Sequence, residues 1–290
     1  MEFTDATWFV GPRRLTVTAG TVVGNRYPAN FDVLHLDAAR PLAVVADGMG
    51  DGPGSTAAGR TAVEVFLRET TRETGRAGME EPATASGPAT ASGPTTASGP
   101  TTASGPTTAS GPTTASGPTT ASGPTALRAA VAEVQRAVRE AGRAIAGLTG
   151  CTLTAFVGDT DGSAWLVQLG DSRAYRLRDG VFELLTSDHT AAWLGLLNAW
   201  YAADSREAYR DRHRLTRFAG HPGMPEPDLI NVSLRPGDRF LLCTDGVSDQ
   251  IHDRRLAEAL TERITVTELL AETLDHGGDD NATAVMIVVS

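Results

Sequence analysis

Leu42-Ala43-Val44-Val45-Ala46-Asp47-Gly48-Met49-Gly50 runs five apolar residues straight into an aspartate and a glycine-rich turn. A run of that length, bounded by turn residues and lacking polar alternation, reads as a strand buried on both faces. The pattern recurs. Residues 165–171, residues 240–246, and Asp280-Asn281 ahead of residues 284–289 each set an aspartate beside glycine or asparagine at the edge of an apolar run. A lone carboxylate at such a rim is costly to bury, and several brought together need a cation to hold their charge. Hard divalent ions take oxygen ligands of this kind, so the four rims predict a metal site.

The chain has 290 residues, 41% of them apolar, enough to bury a sizeable core. Its formal net charge is -10, and all 25 basic residues are arginine. An acidic chain without lysine argues against nucleic acid or an anionic membrane as the main partner. The arginine bias fits a GC-rich genome and suggests a bacterial source. Cys151 and Cys243 each lie next to an apolar segment and lack the close spacing of a zinc site, so they read as buried thiols. The first residues carry neither a basic nor an apolar signal region, and no 18-residue apolar run follows. A cytoplasmic, soluble protein is expected.

Residues 82–124 form a Thr-Thr-Ala-Ser-Gly-Pro hexapeptide repeat with small variations. It offers no large apolar residue, and its prolines deny it a helix or a ladder, so a disordered spacer is expected. On either side lie helical patterns: Ala58, Ala62, Val65 and Phe66 within residues 55–76, then Leu127, Val131, Val134, Val138, Ala141, Ile145 and Leu148. The repeat therefore reads as an insertion at residues 82–124 within a single domain spanning residues 1–290. Strands are predicted at residues 152–157, 164–169, 174–177, 181–185, 231–234, 239–244 and 284–289, with 15–23 and 31–37 as an opening pair. Helices follow at 253–263 and 266–276. Strands in runs and helices in pairs describe an α+β sandwich, not a βαβ repeat.

Six motifs stand in order: Gly24 with Asn30-Phe31-Asp32, Val45-Ala46-Asp47-Gly48-Met49-Gly50, Thr149-Gly150-Cys151-Thr152, Gly170-Asp171-Ser172-Arg173, Thr244-Asp245-Gly246-Val247-Ser248-Asp249, and Gly278-Asp279-Asp280-Asn281-Ala282-Thr283. One Asp-Gly pair carries no weight, but this ordered set resembles the bacterial metal-dependent protein phosphatases, the PPM or type 2C serine/threonine phosphatases. The resemblance implies a four-layer α-β-β-α sandwich, two central antiparallel β-sheets flanked by helix pairs, with two Mn²⁺ or Mg²⁺ ions at one end. It implies that Asp47 bridges both ions, that the Gly48 carbonyl binds one, and that Asp245 and Asp280 hold the other. Asp47, Asp245 and Asp280 would thus carry catalysis, and Asp32 would reach the ions through water. Two such cations activate a water for in-line attack on phosphorus. Asp171 and Asp249 match positions that hold, with Asp245, a third and weaker ion; read as residues alone, Asp171 could cap a turn and Asp249 could pair with an arginine.

Two departures stand out. Relatives place a phosphate-gripping arginine where this chain has Tyr27, leaving Arg26 one residue early, and on a regular strand that slip reverses the face. Relatives also carry a histidine after the glycines of the second motif, where this chain reads Asp51-Gly52. Arg26 is taken as the substrate phosphate ligand. None of the six histidines is spaced for a metal cage, and His189 is expected to make a structural hydrogen bond. Residues 193–227, rich in arginine and aromatics, match the variable flap beside the metals; they suit phosphopeptide recognition, or simply cover the domain. The implied activity is hydrolysis of phosphoserine and phosphothreonine on a phosphoprotein substrate by a monomer that binds neither nucleic acid nor membrane. The rival readings are a phosphoprotein-binding regulatory domain of the same fold, a pseudophosphatase, and another metal-dependent phosphoesterase.

Overall fold

The computed structural model describes residues 2–72, 123–159 and 161–290. In chain order the strands are β1 (Glu2–Val10), β2 (Arg13–Val22), β3 (Val33–Leu36), β4 (Leu42–Ala46), β5 (Leu153–Gly158), β6 (Ala164–Leu169), β7 (Arg173–Arg178), β8 (Val181–Leu184), β9 (Asp228–Asn231), β10 (Arg239–Cys243) and β11 (Ala282–Val289). The helices are α1 (Pro53–Arg72), α2 (Pro124–Gly142), α3 (Ala191–Leu197), α4 (Arg206–Asp211), α5 (Asp245–Ser248), α6 (Asp253–Glu262) and α7 (Val266–Asp275). One sheet has the order β1-β2-β11-β10-β7-β8 and the other β3-β4-β5-β6-β9. Every pairing within them is antiparallel.

The apolar runs explain the layers. Along β4, Leu42, Val44 and Ala46 face a core shared with α1 and α2, while Ala43 and Val45 face the space between the sheets. Along β10, Phe240 and Leu242 enter that middle core, whereas Leu241 and Cys243 pack with α6 and α7 residues such as Leu256, Leu260 and Leu270. Successive side chains of a strand point to opposite faces, so a strand that buries both must be apolar throughout. Three stacked cores separate four layers, as the resemblance implied.

Several boundaries depart from the sequence reading. Residues 15–23 and 31–37 do not pair: β2 lies between β1 and β11, and β3 opens the other sheet beside β4. β1 was not foreseen. The strand expected at 231–234 is instead Asp228–Asn231, paired with β6. The second long helix stops at Gly142 instead of running to Leu148, and Gly147 takes a positive φ of 103° as the chain turns back. Pro124, read as the end of the repeat, is the first residue of α2, where proline's missing N–H costs nothing. Residues 82–122 of the predicted spacer lie outside the described residues, as do residues 73–76 at the end of the first predicted helix.

Antiparallel register gathers the motifs at one end of the sandwich. Ala46 pairs with Val33, so Asp47 leaves β4 beside Asp32 entering β3. Leu153 pairs with Leu169, which brings Gly170 and Asp171 to the same rim. Cys243 pairs with Ala284, setting Asp245 at the exit of β10 opposite Asp280 at the approach to β11.

Candidate active site

At that rim a cavity of about 460 Å³ is lined by Arg26, Tyr27, Asp47, Gly48, Asp171, His213, Asp245 and Asp280, among others. Carboxylate oxygens of Asp47, Asp171 and Asp245 all lie within 4.8 Å of one another. Burial, first, and then the neighbouring carboxylates push Asp47 and Asp171 well above the ordinary carboxylate range, and raise Asp245 to about 7. Like charges held this close inside a protein cannot all stay ionised without a counter-ion.

The Oδ1 atom of Asp245 is shielded from solvent and has no hydrogen-bond partner. A buried acceptor left unmatched normally costs about 1–3 kcal/mol. A divalent cation would satisfy it and remove the repulsion together, and an all-oxygen set suits Mn²⁺ or Mg²⁺. The residues fit the ions that the sequence implied.

Asp32 and Asp280 flank this triad without entering it. Asp32 is buried, and Oδ2 accepts the hydroxyls of Thr244 at 2.9 Å and Thr283 at 2.7 Å. Since Thr283 donates to Asp32, its oxygen must accept from Thr21 (2.7 Å), which in turn accepts from the Asn30 amide (2.7 Å). A chain of donors thus runs from Asn30 to Asp32. Burial still dominates those bonds and lifts Asp32 to about 8. Asp280 is raised too, chiefly by burial; its Oδ1 accepts the N–H of Asn281, whose side chain accepts from Phe31 N at 2.7 Å. These side chains clip the segment before β3 to the segment before β11.

Backbone packing fixes the rim. A Cβ on Gly24 would strike the carbonyl of Asp280, and one on Gly246 the carbonyl of Asn281. A Cβ on Gly48 would fall 2.8 Å from the carbonyl oxygens of Phe31 and Ser55. Glycine at 48 therefore lets three backbone segments meet at the site.

Arg26 is exposed and lies in the loop after β2, so strand parity does not govern its direction. Its guanidinium sits 5.3 Å from the Tyr27 ring centroid, and both line the cavity. His189 is buried away from the triad. Its Nε2 lies 2.9 Å from Asp228 Oδ2 and 2.8 Å from Arg217 Nη1, and its Nδ1 accepts from Gly170 N at 3.0 Å. That bond steadies the turn carrying Asp171, the structural part expected of it. Asp279 is an exposed turn residue whose carbonyl accepts from Arg26 N at 3.3 Å.

Asp249 stands apart from Asp171 and groups with Asp245 and His213, ligand atoms again within 4.8 Å of one another. His213 was missed because it lies in the flap, where no spacing announces it. Thr244 and Thr283 lay inside motifs already singled out, yet only the paired strands show that both hydroxyls meet Asp32.

The protein phosphatase 2C family model matches residues 30–284. The chain is 34% identical over 171 residues to the serine/threonine protein phosphatase PstP of Mycobacterium tuberculosis, covering 54% of this chain and 32% of that protein. It is 27% identical over 126 residues to the serine/threonine phosphatase stp of Listeria monocytogenes, covering 42% and 50%. The matches therefore span about a third to a half of the length of these curated relatives. Among solved structures, the PPM Ser-Thr phosphatase MsPP from Mycobacterium smegmatis in complex with cacodylate superposes with a TM-score of 0.68 at 25% identity, over 94% of this chain and 98% of that one. The catalytic domain of PstP in complex with two manganese ions gives 0.67 at 26% identity, over 96% and 99%.

Proposed function

The chain belongs to the protein phosphatase 2C family, and from that premise we propose that it hydrolyses phosphoserine and phosphothreonine on proteins with Mn²⁺ or Mg²⁺. The observation that carries the reading is the convergence of Asp47, Asp171 and Asp245 with an unmatched buried oxygen on Asp245. Bound divalent ions supply a nucleophilic water at neutral pH and neutralise phosphate charge.

The protein's own groups do the rest. Asp47, the Gly48 carbonyl, Asp245 and Asp280 would hold the two ions, and Asp32, fixed by Thr244 and Thr283, would orient water toward them. Arg26, at the cavity mouth, would take the phosphoryl oxygens of the substrate. As an exposed group it can turn inward, and a guanidinium matches two phosphate oxygens at once. The second-motif histidine of relatives is replaced, so no side chain of that segment serves as acid.

The domain reading of the sequence is retained as a proposal: residues 1–290 form one catalytic domain interrupted by the repeat at residues 82–124. A phosphoprotein is the proposed partner. Among the described residues no helix is long and apolar enough to cross a membrane; a cytoplasmic site of action and a monomeric state are proposed on the sequence reading alone.

Purified protein with Mn²⁺ is expected to release phosphate from a phosphothreonine peptide, with chelator abolishing release. Arg26→Ala should raise KM about tenfold, the loss of one charge-assisted contact. A protein that binds the peptide yet releases no phosphate is a regulatory domain, and the proposal then fails.

A further inference from the structure

A separate cavity of about 610 Å³ opens on the outer face of the six-stranded sheet, against the connection between α6 and α7. Asp5 pairs with Thr18, Thr18 with Met286, and Val288 with Arg239, so the floor runs across β1, β2, β11 and β10. Phe3, Leu260, Ile264 and Val266 wall it. Phe3 and Val288 remain exposed there, and apolar surface left open in a concavity of this size marks a place for a small molecule.

Arg239 and Arg263 give one end of this cavity its charge. Phe240 points into the core between the sheets, so Arg239 points the other way. It is half-buried, and its Nη1 donates to Leu260 O at 2.8 Å, which engages one of five N–H donors. Among the described residues neither guanidinium forms an ion pair with a carboxylate, in a chain whose 35 acidic side chains outnumber its 25 basic ones. Glu262 and Glu268, close by in sequence, are taken by Arg255 and by the Thr265 N–H. Burial, and then the nearness of Arg263, hold Arg239 below the usual arginine range. Two cations without a partner call for an anion. Arg263 also takes a left-handed φ of 65° at the end of α6, a conformation that usually falls to glycine. Backbone strain of that kind, kept at a cavity rim, is a sign of use.

We propose that this cavity binds a small amphipathic anion, a carboxylate on an apolar chain of medium length, with its head on Arg239 and Arg263 and its tail along Met286, Val288 and Phe3. A planar guanidinium meets two carboxylate oxygens at once. Asp5 stands on the far side, three strands and about 14 Å from β10, where it repels a negative charge. The ligand can therefore lie in one direction only. Roughly 20 Å along the chain separates Arg239 from Asp245, and the inference does not rest on the phosphatase reading.

The test is calorimetric titration of the full chain, free of divalent ions, with decanoate held below its micelle concentration. One decanoate per chain is expected, bound at least about tenfold tighter than decanol, which keeps the tail, or acetate, which keeps the head. Arg239→Gln and Arg263→Gln should each weaken decanoate about tenfold, the loss of a hydrogen bond to a charged group, and leave decanol unchanged. Thr18 is exposed on the cavity floor, so Thr18→Glu is expected to fold and to abolish decanoate binding. Decanol that binds as tightly as decanoate, the absence of saturation at one per chain, or parent affinity in the double variant Arg239→Gln with Arg263→Gln overturns the site. None of these residues touches the catalytic carboxylates, so the phosphatase reading stands whichever way the titration falls.

Discussion

The hydroxyl of Thr283 donates to Oδ2 of Asp32 across 2.7 Å, joining positions 251 residues apart in sequence. That bond and its neighbour from Thr244 are what offset the burial of Asp32 beside two further carboxylates. Thr283→Val keeps the volume and removes the donor. A hydrogen bond to a charged group is worth about 1.5–3 kcal/mol. Mn²⁺ affinity measured by calorimetry is therefore expected to fall roughly 10- to 100-fold, with the far-ultraviolet circular dichroism unchanged. An unaltered affinity would show that Asp32 has no part in holding the ions.

Crowded carboxylates tune the site for metal at the expense of the metal-free fold. Asp47→Asn or Asp245→Asn removes one buried charge from the triad. Each variant is expected to lose all measurable Mn²⁺-dependent phosphatase activity, yet to melt at a higher temperature than the parent when both are stripped of metal. A lower melting temperature in both variants would mean that the repulsion inferred here is absent.

Asp32 lies at about 8 and Asp245 at about 7 in the metal-free fold, against about 3.9 for an unfolded aspartate. Between those values the folded state holds more protons than the unfolded one, so stability falls as pH rises through the window. The melting temperature of chelator-treated protein should drop from about pH 5.5 to about pH 8.5, and saturating Mn²⁺ should abolish the drop by binding the ionised carboxylates. A metal-free melting temperature that climbs across this range contradicts the assignment.

Helices α1 and α2 both turn their site-proximal ends to the rim: Gly54 packs against Leu148, and Gly142 against Thr149. Their other ends, Arg72 and Pro124, lie a helix length away, about 30 Å for 19 or 20 residues. Deleting residues 82–122 leaves ten residues to join them, ample for neighbouring antiparallel helices. Turnover of a phosphopeptide should change less than twofold, a shift of about 0.4 kcal/mol. A tenfold loss on deletion would place the repeat in the catalytic machinery.

What could be read from sequence divides along physical lines. β4, β10 and β11 were legible because strands buried on both faces are apolar without interruption, and the aspartates at their ends stood out by contrast. β1 was not: its first four residues are exposed, and only Ala6, Trp8 and Val10 turn inward. The true end of α2 was hidden because Ile145 and Leu148 continue the apolar stripe, while the turn that stops the helix answers to a tertiary need, bringing Thr149 and Gly150 back to the rim. Asp47, Asp171 and Asp245 could be named from motif order, but their mutual approach is set by strand register. Nothing in the spacing of residues around His213 foretold its meeting with α5. Within the flap, the Tyr201 hydroxyl donates to the Ala191 carbonyl at 2.9 Å and lies 3.3 Å from Asp211, contacts that bridge ten residues each way and that no sequence period announces.

Anomalous scattering at the manganese edge, from crystals grown with excess Mn²⁺, locates bound ions independently of any activity. Two strong peaks roughly 3.5–4 Å apart are expected, from a dinuclear centre held by Asp47, Asp245 and Asp280. A cavity without anomalous signal, its aspartates paired instead with arginines, would contradict it.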